Sequence, residues 1–518
     1  MAVADVSGPL SSLTSWHADW TGLRVAVLGL SVTGFSVADT LAELGCEVLV
    51  VTEQADEQYA RLLPVIGARL YEGGLDEVPA TLIEFTPDVV VASPGFAPHH
   101  PVVRWALDAG VALWGDLELA WRVRDKVVRG DGRPADWVLI TGTNGKTTTT
   151  QMTAAMLAAG GLRAAPCGNI GVPVLDAVRD PAGFDVLVVE VSSHQLWYLS
   201  HQVTGPAPVS PHASVCLNLA PDHLQWHGSF EAYREAKAFV YANTRVACVY
   251  NRADAATRRM VEDADVVEGA RAIGFGLDVP GPSDLGVVDG ILVDRAFLDD
   301  RRTTALELCT LDDLAAAGLS APHIVANALA AAALARSLDV APAAIREALR
   351  GFHLDAHRIE VVARADGITW VDDSKATNPH AAASSLAAHP GAVWIVGGLL
   401  KGVDIAELVA ARGSGSKAAI VIGVDRTPIV AAFARHAPAV PVIEVDAGET
   451  EDVMARVVEI AAGIAGDGDV VLLAPAAASF DQFSSYADRG RRFAAAVQEL
   501  IARGDDDQHD DPSSARGR

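Results

Sequence analysis

Short apolar runs alternate along this chain with amphipathic stretches long enough to form helices. Apolar runs of four to six residues, bounded by Gly or polar residues, are typical of strands buried on both faces of a parallel sheet. Arg24–Val51 reads as strand, a turn from Gly29 to Gly34, helix and second strand, which is half of a Rossmann unit. Another strand is predicted at Val89–Ala92. The residues after it, Ser93-Pro94-Gly95, fall at the sheet edge where open α/β sheets bind ligands.

The stretch Val138–Thr150 joins an apolar strand to a Gly-rich turn that ends in a lysine and a hydroxyl. Gly142 and Gly145 allow a tight turn in which consecutive backbone N–H groups face a phosphate. Lys146 adds a positive charge, and the Thr147 hydroxyl can bind Mg²⁺. The pattern is the short G-x-x-G-K-T form, and the flanking strand and helix argue against the alternative of an ordinary turn. The sequence predicts a nucleoside triphosphate site made by Gly142, Thr143, Asn144, Gly145, Lys146, Thr147 and Thr148.

The alternation of apolar strands and helices continues to the end of the chain. Strands are predicted at Val186–Val191 and Ala213–Leu219, and an Ala-rich helix is predicted at Ile324–Leu338. A hinge predicted at Gly351–His357 leads into a third unit. The strands of that unit are Ala392–Val396, Ala418–Ile422 and Asp469–Leu473.

These patterns predict an α/β protein with three domains. The N-terminal domain is Rossmann-like, the central one is an α/β domain of the P-loop ATPase type, and the C-terminal one is again Rossmann-like. The expected boundaries are an N-terminal extension at 1–20, domains at 21–118, 119–354 and 355–504, and a disordered acidic tail at 505–518.

Composition narrows the possible partners. The 518 residues carry a formal net charge of −26, which argues against DNA, RNA or an anionic membrane surface. The 5 cysteines are scattered without a C-x-x-C pair, which indicates buried thiols in a reducing compartment. No stretch reaches membrane-spanning length without a Pro, a Gly or a charge. We expect a soluble cytoplasmic protein with no nucleic acid partner and no membrane insertion, in which local basic residues bind anionic small substrates.

Two further strand ends in the central domain carry groups that can bind a metal. Glu190 ends a strand of four apolar residues, where a carboxylate suits a hard cation. His223 follows the next strand and could ligate a metal, with Asp222 orienting its ring. A solvated glutamate and a structural histidine are the alternatives. Zinc is disfavoured because the histidines lack close paired spacing, and NAD because Ser31 replaces the second glycine of the dinucleotide fingerprint.

Six motifs follow one another along the chain. They are Thr141–Thr147, Glu190 with Ser192-Ser193, Asn218 with Asp222-His223, Tyr233–Lys237, Asn327–Ala330 and His357–Glu360. In residues and in order they resemble the motifs of the Mur ligase family, the ATP-dependent amide-forming enzymes of peptidoglycan precursor synthesis. The resemblance extends from about Arg24 to Ala502.

The resemblance implies catalytic functions for several of these residues. Lys146 and Thr147 would hold the ATP phosphates and the first of two Mg²⁺ ions, and Glu190 and His223 would hold the second. Lys237 would carry a CO₂-derived carbamate that supports the metal site. The other implied ATP contacts are Asn327 to the adenine, Arg358 to the γ-phosphate and Asp373 to the ribose.

The segment Trp370–Asn378 resembles the branch of the family that adds D-glutamate to UDP-N-acetylmuramoyl-L-alanine. An incoming amino acid with two carboxylates needs cations and hydroxyls around it. The residues implied for D-glutamate are Lys375, Thr377, Lys401, Ser479 and Tyr486. Those implied for the UDP substrate are Val32, Thr33, Ser93, Gly95 and Asn169. We expect a monomer.

The implied reaction transfers the γ-phosphoryl group of ATP to the L-alanyl carboxylate, and the amine of D-glutamate then attacks the acyl phosphate. Three alternatives stay open. The protein could be a related ligase acting on another amino acid or on folate, a nucleotide-binding switch without ligase activity, or an NAD-dependent oxidoreductase.

Overall fold

The computed structural model describes residues 9–201, 208–446 and 450–509. Within them the chain forms three α/β sheets, and this confirms the predicted fold class. None of the helices in these ranges is long and apolar enough to cross a lipid bilayer. Residues 510–518 of the predicted acidic tail lie outside the described residues.

The first sheet consists of five parallel strands, β1 (Arg24–Leu28), β2 (Glu47–Thr52), β3 (Arg69–Glu72), β4 (Val89–Ala92) and β5 (Ala112–Gly115). Its helices are α1 (Val32–Glu43), α2 (Glu57–Ala60), α3 (Ala80–Phe85), α4 (Pro101–Asp108) and α5 (Asp116–Arg122), and a 3-10 helix at Pro9–Ser12 precedes them. The spatial order is β3-β2-β1-β4-β5. The order therefore reverses at β1, and the loops after β1 and β4 flank a crevice of the kind that binds ligands in open sheets.

The second sheet has nine strands, β6 (Asp136–Thr141), β7 (Ala164–Gly168), β8 (Val186–Glu190), β9 (Ala213–Cys216), β10 (Ala247–Asn251), β11 (Arg271–Phe275), β12 (Asp284–Val288), β13 (Ile291–Asp294) and β14 (Leu306–Thr310). Its order is β14-β13-β12-β11-β10-β9-β6-β8-β7. Among the described strands of this sheet, the antiparallel pairs are β12 with β13 and β13 with β14. Strand β6 therefore lies between β8 and β9, and all three end at the same edge.

The helices of this region are α6 (Lys146–Ala159), α7 (Val174–Arg179), α8 (Ser193–Ser200), α9 (Leu224–His227), α10 (Phe230–Ala238), α11 (Ala255–Glu262), α12 (Leu311–Ala316), α13 (Pro322–Arg336) and α14 (Pro342–Arg350), with a 3-10 helix at Phe239–Tyr241. The Ala-rich helix α13 packs against α6, and its residues from Ala328 to Ala335 are at most 1% exposed. Small side chains let two helices approach closely, which explains the alanine content of α13.

The third sheet has six strands, β15 (Glu360–Ala365), β16 (Ile368–Asp372), β17 (Val393–Gly397), β18 (Ala418–Ile422), β19 (Val442–Glu444) and β20 (Val470–Leu473). Its helices are α15 (Pro379–Ala388), α16 (Ala406–Arg412), α17 (Thr427–His436), α18 (Thr450–Ile464) and α19 (Tyr486–His509), with a 3-10 helix at Gly413–Gly415. The order is β15-β16-β20-β17-β18-β19, and β15 alone of these strands is antiparallel to its neighbour.

These elements form two compact units. The first contains Met1–Leu219 and Trp226–His353, and the second contains Ala220–Gln225 and Leu354–Arg518. The first two sheets thus share one unit, and one hydrophobic cluster spans both. In this cluster Trp121 packs edge to face against Trp137, with the ring centres 5.1 Å apart. An ion pair of 2.5 Å between Arg179 of α7 and Asp39 of α1 also joins the two sheets. The domain boundaries given by the sequence stay predictions.

One prediction for the carboxyl terminus is wrong in part. The disordered tail was expected from residue 505, whereas α19 continues to His509. A helix that is already nucleated by packing extends at little cost, because each added residue brings one further hydrogen bond. The acidic composition of the tail does not reveal this continuation.

We expect Gly34→Ala to destabilise the first sheet. A Cβ at this position in α1 would overlap the carbonyl oxygen of Gly29, and overpacking of this kind costs about 1–3 kcal/mol. The melting temperature, followed by circular dichroism, should fall by several degrees. Gly463→Ala in α18 is the matched control, because its Cβ would meet nothing within 4 Å and alanine favours a helix. An unchanged melting temperature for Gly34→Ala would contradict the close approach of the two backbone segments.

Candidate active site

The phosphate loop joins β6 to α6, and its two glycines are sterically required. Gly142 and Gly145 have φ angles of +151° and +85°. A Cβ on Gly145 would lie 2.6 Å from Oδ1 of Asn327, so α13 packs directly against the loop. Lys146 folds back over the loop and donates to the carbonyl oxygens of Gly142, at 2.9 Å, and Thr143, at 3.0 Å. The loop, Lys146 and Asn327 lie together, and their contacts with ATP stay predictions.

Asn218, two residues beyond β9, holds the loop in shape. Its backbone oxygen accepts from the N–H of Thr143 at 2.9 Å. Its side chain accepts from the N–H of Asn144 at 2.9 Å and donates to the carbonyl oxygen of Asn144 at 3.0 Å. This corrects the expectation that consecutive N–H groups of the loop face a phosphate, because two of them are used inside the protein. We therefore predict that a phosphate bound here contacts the amino end of α6 and Lys146.

Glu190 is the last residue of β8, which pairs with β6, and the residue is buried, with 2% of its surface exposed. Its Oε1 accepts from Nδ2 of Asn169 at 2.8 Å, and its backbone oxygen accepts from the N–H of Asn169 at 2.9 Å. Within the described part of the chain, Oε2 is buried with no hydrogen-bond partner. An unsatisfied buried oxygen costs about 1–3 kcal/mol, and a hard cation would remove that cost. Glu190 therefore fits the predicted Mg²⁺ ion.

Lys237 lies on α10 and is 2% exposed, so it is a buried lysine at the same edge. Its Nζ donates to Oγ1 of Thr141 at 3.1 Å and to the carbonyl oxygen of Gly142 at 2.9 Å. The Thr141 hydroxyl in turn donates to the carbonyl oxygen of Val191 at 2.8 Å. Lys237 is thus connected to the phosphate loop and to the residue that follows Glu190. Its carbamylation stays a prediction.

Four of the residues predicted for the UDP substrate lie at the crevice of the first sheet. Val32 and Thr33 open α1, with Val32 47% exposed, and Ser93 and Gly95 follow β4. The two loops are in contact, because a Cβ on Gly29 would lie 3.1 Å from Oγ of Ser93. The fifth predicted residue, Asn169, is hydrogen-bonded to Glu190 in the second sheet, and its contact with the UDP substrate stays a prediction.

In the second unit, Asp373 follows β16 and is buried close to Arg358. Burial raises the pKa of Asp373 to about 6, although a hydrogen bond from the Ser385 hydroxyl and the charge of Arg358 both lower it. The two side chains predicted to contact the ribose and the γ-phosphate of ATP are therefore electrostatic neighbours. Their ATP contacts stay predictions.

A histidine and two carboxylates fix the backbone on both sides of Arg358 and Asp373. Nδ1 of His357 lies 2.6 Å from Oδ2 of Asp372, and the His357 N–H donates to the Glu360 carboxylate at 2.8 Å. One ligand atom from each of the three lies within 4.8 Å of the others. These internal hydrogen bonds account for the cluster, which the sequence analysis did not identify.

Lys375 and Tyr486, both predicted for D-glutamate, are in direct contact. Nζ of Lys375 donates to the Tyr486 hydroxyl at 3.0 Å and lies 4.7 Å from the centre of its ring. The loop before Lys375 is held by Arg489, which is 0% exposed and donates to Oγ and O of Ser374 at 2.9 and 2.8 Å and to O of Ala477 at 3.1 Å. Burial lowers the pKa of Arg489 to about 10.

Thr377 and Lys401, from two different loops, line one cavity of about 60 Å³. His223 lines it as well and belongs to the same compact unit. Glu190 belongs to the first unit, so the sharing of a Mg²⁺ ion by Glu190 and His223 stays a prediction. Ser479 is 2% exposed and is not among the residues that line this cavity.

Three residues that shape the site were not predicted from the sequence to be functional. They are Asn218, Tyr233 and Arg489. Asn218 and Tyr233 appeared only as motif members, yet the hydroxyl of Tyr233 lies 2.9 Å from that of Thr143. A polar residue just beyond a buried strand was the signal available for Asn218. Arg489 gave no signal, because a charged residue on an amphipathic helix resembles a solvent-exposed one.

Family models match three parts of the chain. The Mur ligase MurD-like N-terminal domain matches residues 23–115, the Mur ligase middle domain matches 140–335, and the Mur ligase glutamate ligase domain matches 357–477. Together these segments contain the phosphate loop, Glu190, Lys237, Arg358 and Lys401.

Relatives match over nearly the full length. A UDP-N-acetylmuramoylalanine--D-glutamate ligase of Leifsonia xyli subsp. xyli is 63% identical over 96% of this chain and 96% of its own. One of Streptomyces coelicolor is 50% identical over 93% of this chain and 99% of its own. Among solved structures, the UDP-N-acetylmuramate-alanine ligase MurC of Thermotoga maritima has the same fold, with a TM-score of 0.53, 19% identity and coverage of 92% and 100% of the two chains. The MurF ligase of Thermotoga maritima in complex with ADP gives a TM-score of 0.53 at 17% identity, over 96% and 99%. The chain belongs to the Mur ligase family.

Proposed function

We propose that this protein is an ATP-dependent ligase that adds D-glutamate to UDP-N-acetylmuramoyl-L-alanine and releases ADP and phosphate. The observation that carries the proposal is the 63% identity, over 96% of the chain, to a ligase named for this reaction. Three features support it: Lys237 is buried, Oε2 of Glu190 has no hydrogen-bond partner among the described residues, and Lys401 and Thr377 line one cavity. The enzyme would act as a monomer in cytoplasmic peptidoglycan precursor synthesis.

In the first step, the L-alanyl carboxylate attacks the γ-phosphorus of ATP, and the bond from that phosphorus to the ADP oxygen breaks. Such a transfer needs in-line placement and neutralised charge more than covalent help. Lys146 would leave the carbonyl oxygens of Gly142 and Thr143 to meet the phosphates, and Arg358 would contact the γ-phosphoryl group. Asn327 and Asp373 would bind the adenine and the ribose.

Thr147, Glu190, His223 and a carbamate on Lys237 would hold two Mg²⁺ ions. Bound Mg²⁺ supplies neutralisation of the negative charge that gathers on the phosphoryl oxygens. Lys237 forms the carbamate when its neutral amine adds to CO₂ and a proton is lost, which replaces a cation with an anion beside the metal site. Nζ of Lys237, the atom that would carry the carbamate, donates to Oγ1 of Thr141 and to the carbonyl oxygen of Gly142.

In the second step, the amine of D-glutamate attacks the acyl phosphate, and phosphate leaves. Lys375, Thr377, Lys401, Ser479 and Tyr486 would bind the two carboxylates of D-glutamate, since cations and hydroxyls form charge-assisted hydrogen bonds with them. The UDP part of the other substrate would occupy the crevice of the first sheet, beside Val32, Thr33, Ser93 and Gly95.

A phosphate-release assay with a panel of acceptors and amino acids tests the proposal. We expect turnover only when ATP, UDP-N-acetylmuramoyl-L-alanine and D-glutamate are all present. Equal turnover with D-alanine or a diamino acid would assign the protein to another ligase of the family. Phosphate release that needs no acceptor would instead indicate a nucleotide-binding switch.

Lys146→Ala should nearly abolish turnover. Loss of one charged contact to the transferring phosphoryl group typically lowers kcat about 10²–10³-fold. The measurement is phosphate release at saturating substrates, together with circular dichroism to verify the fold. Lys417→Ala is the control, because that lysine is surface-exposed and its ion pair among the described residues is with Asp469. Retention of more than about a tenth of the parent rate would contradict the phosphate contact of Lys146.

Lys237→Ala should be inactive, and added formate or acetate should restore part of the activity. The proposed function of this side chain depends on a carboxylate at its end, which a small acid can supply. Lys237→Arg keeps a positive charge and should stay inactive with or without the acid. Intact mass of the parent protein should show the added CO₂. Normal activity of Lys237→Ala without added acid would remove the carbamate from the mechanism.

Lys401→Ala should raise the KM for D-glutamate far more than the KM for ATP or the UDP substrate. A charge-assisted hydrogen bond to the side-chain carboxylate is worth about 2–4 kcal/mol, which corresponds to about 30- to 10³-fold. Steady-state kinetics with each substrate varied in turn gives the three KM values, and Lys417→Ala is again the control. A rise in the KM for ATP alone would place Lys401 outside the amino-acid site.

A further inference from the structure

Helix α8 begins immediately after the strand end that carries Glu190. Its amino end is closed by a reciprocal cap, in which the carboxamide oxygen of Gln195 accepts from the N–H of Ser192 at 3.0 Å and from its hydroxyl at 3.1 Å. The N–H of Gln195 in turn donates to the Ser192 hydroxyl at 3.1 Å. Such a cap fixes both the start and the direction of the helix. The position of α8 and the position of the Glu190 loop are therefore coupled.

The same helix is attached to the first sheet at three points. Nε2 of Gln195 donates to Oδ2 of Asp116 at 2.8 Å, and the Tyr198 hydroxyl donates to the carbonyl oxygen of Phe96 at 2.7 Å. A Cβ on Gly115 would lie 3.0 Å from Cβ of Tyr198, so the glycine allows the helix to approach the end of β5. Phe96 directly follows the loop Ser93-Pro94-Gly95. Helix α8 thus spans from the predicted sugar-nucleotide loop to Glu190.

Burying the Asp116 carboxylate destabilises the folded state, which a purely structural contact would not require. It is 4% exposed, and within the described part of the chain its Oδ1 has no hydrogen-bond partner. Burial raises its pKa from 3.8 to about 6, so the free energy of unfolding falls as the pH rises through this range and stays lowered above it. An asparagine would accept the same hydrogen bond without the buried charge. Buried, partly unsatisfied polar groups of this kind concentrate where function constrains the structure.

We propose that Asp116, Gln195 and Tyr198 are positioning residues that make α8 a rigid strut between the UDP-substrate loop and the phosphoryl-transfer site. The inference rests on the proposed function, which puts the acceptor at the Ser93–Gly95 loop and ATP beside Glu190. A phosphoryl group is transferred only when the reacting atoms lie about 3–3.5 Å apart, and misplacement by about 1 Å can cost 10²-fold in rate. The strut therefore governs kcat, whereas each substrate alone binds at one end of it.

Tyr198→Phe removes the hydrogen bond to Phe96 and keeps the ring. We expect kcat to fall about tenfold or more, while calorimetry shows affinities for UDP-N-acetylmuramoyl-L-alanine and for a non-hydrolysable ATP analogue within about twofold of the parent. Ser337→Ala is the control, since that buried hydroxyl donates to the carbonyl oxygen of Leu334 at 2.6 Å, at the carboxyl end of α13 and outside the site. Its melting temperature should fall while kcat stays unchanged. An unchanged kcat in Tyr198→Phe, or an equal loss of kcat in both variants, would overturn the proposal.

A charge exchange tests the other end of the strut. Gln195→Glu places a second carboxylate against Asp116 and should lower kcat about 10²-fold. The double variant, Gln195→Glu with Asp116→Asn, restores a donor–acceptor pair and should return kcat to within about threefold of the parent. A double variant no better than Gln195→Glu would overturn the proposal, and if Gln195→Glu does not fold, the double variant and Tyr198→Phe still decide. The unmodified protein is assayed before the variants. If it shows no turnover on these substrates, the proposed function itself is wrong, and the strut is then not what has failed.

Discussion

The site depends on one structural constraint, the parallel pairing of β6 with β8 on one side and β9 on the other. The register aligns Ile140 with Glu190 and Thr141 with Cys216. Since parallel strands end at the same edge, the backbone pairing of these strands brings together the phosphate loop, the Glu190 carboxylate and Asn218. The strands are buried on both faces, so the apolar core enforces this register.

Charge at this edge is local and opposes the field of the whole protein. The chain has a formal net charge of −26, yet its anionic substrates must bind at this edge of the sheet. Lys146 supplies a cation at the phosphate loop, and Nζ of Lys237 donates to the same carbonyl oxygen of Gly142 as Lys146 does. Glu190 meanwhile keeps one buried oxygen without a partner in the described residues. In a low-dielectric setting such groups act strongly on a bound ligand, and the surface charge of the protein is screened by solvent.

The second unit uses a different device to organise its loops. Arg489 is fully buried and makes its hydrogen bonds to Ser374 and Ala477, in loops that precede Lys375 and Ser479. A guanidinium has five donors in a fixed plane, so it can bind several carbonyl and hydroxyl oxygens at once. His357 and Asp372 perform a similar task beside Arg358 and Asp373. These residues thus fix the loops that carry the predicted ligand-binding side chains, and they need not contact the substrates themselves.

The sequence by itself determined the strands, the fold class and the identity of the chemical groups. Strands Val89–Ala92 and Ala418–Ile422 lie at their predicted bounds, because an apolar run between polar residues is a local signal. The tertiary structure decided which groups meet, since no local pattern records a hydrogen bond between distant residues. It assigned Asn169 to Glu190, and it joined Asp116 to Gln195 across 79 positions of the chain. It also bound two loop N–H groups to Asn218, because buried donors must find acceptors wherever the folded chain provides them.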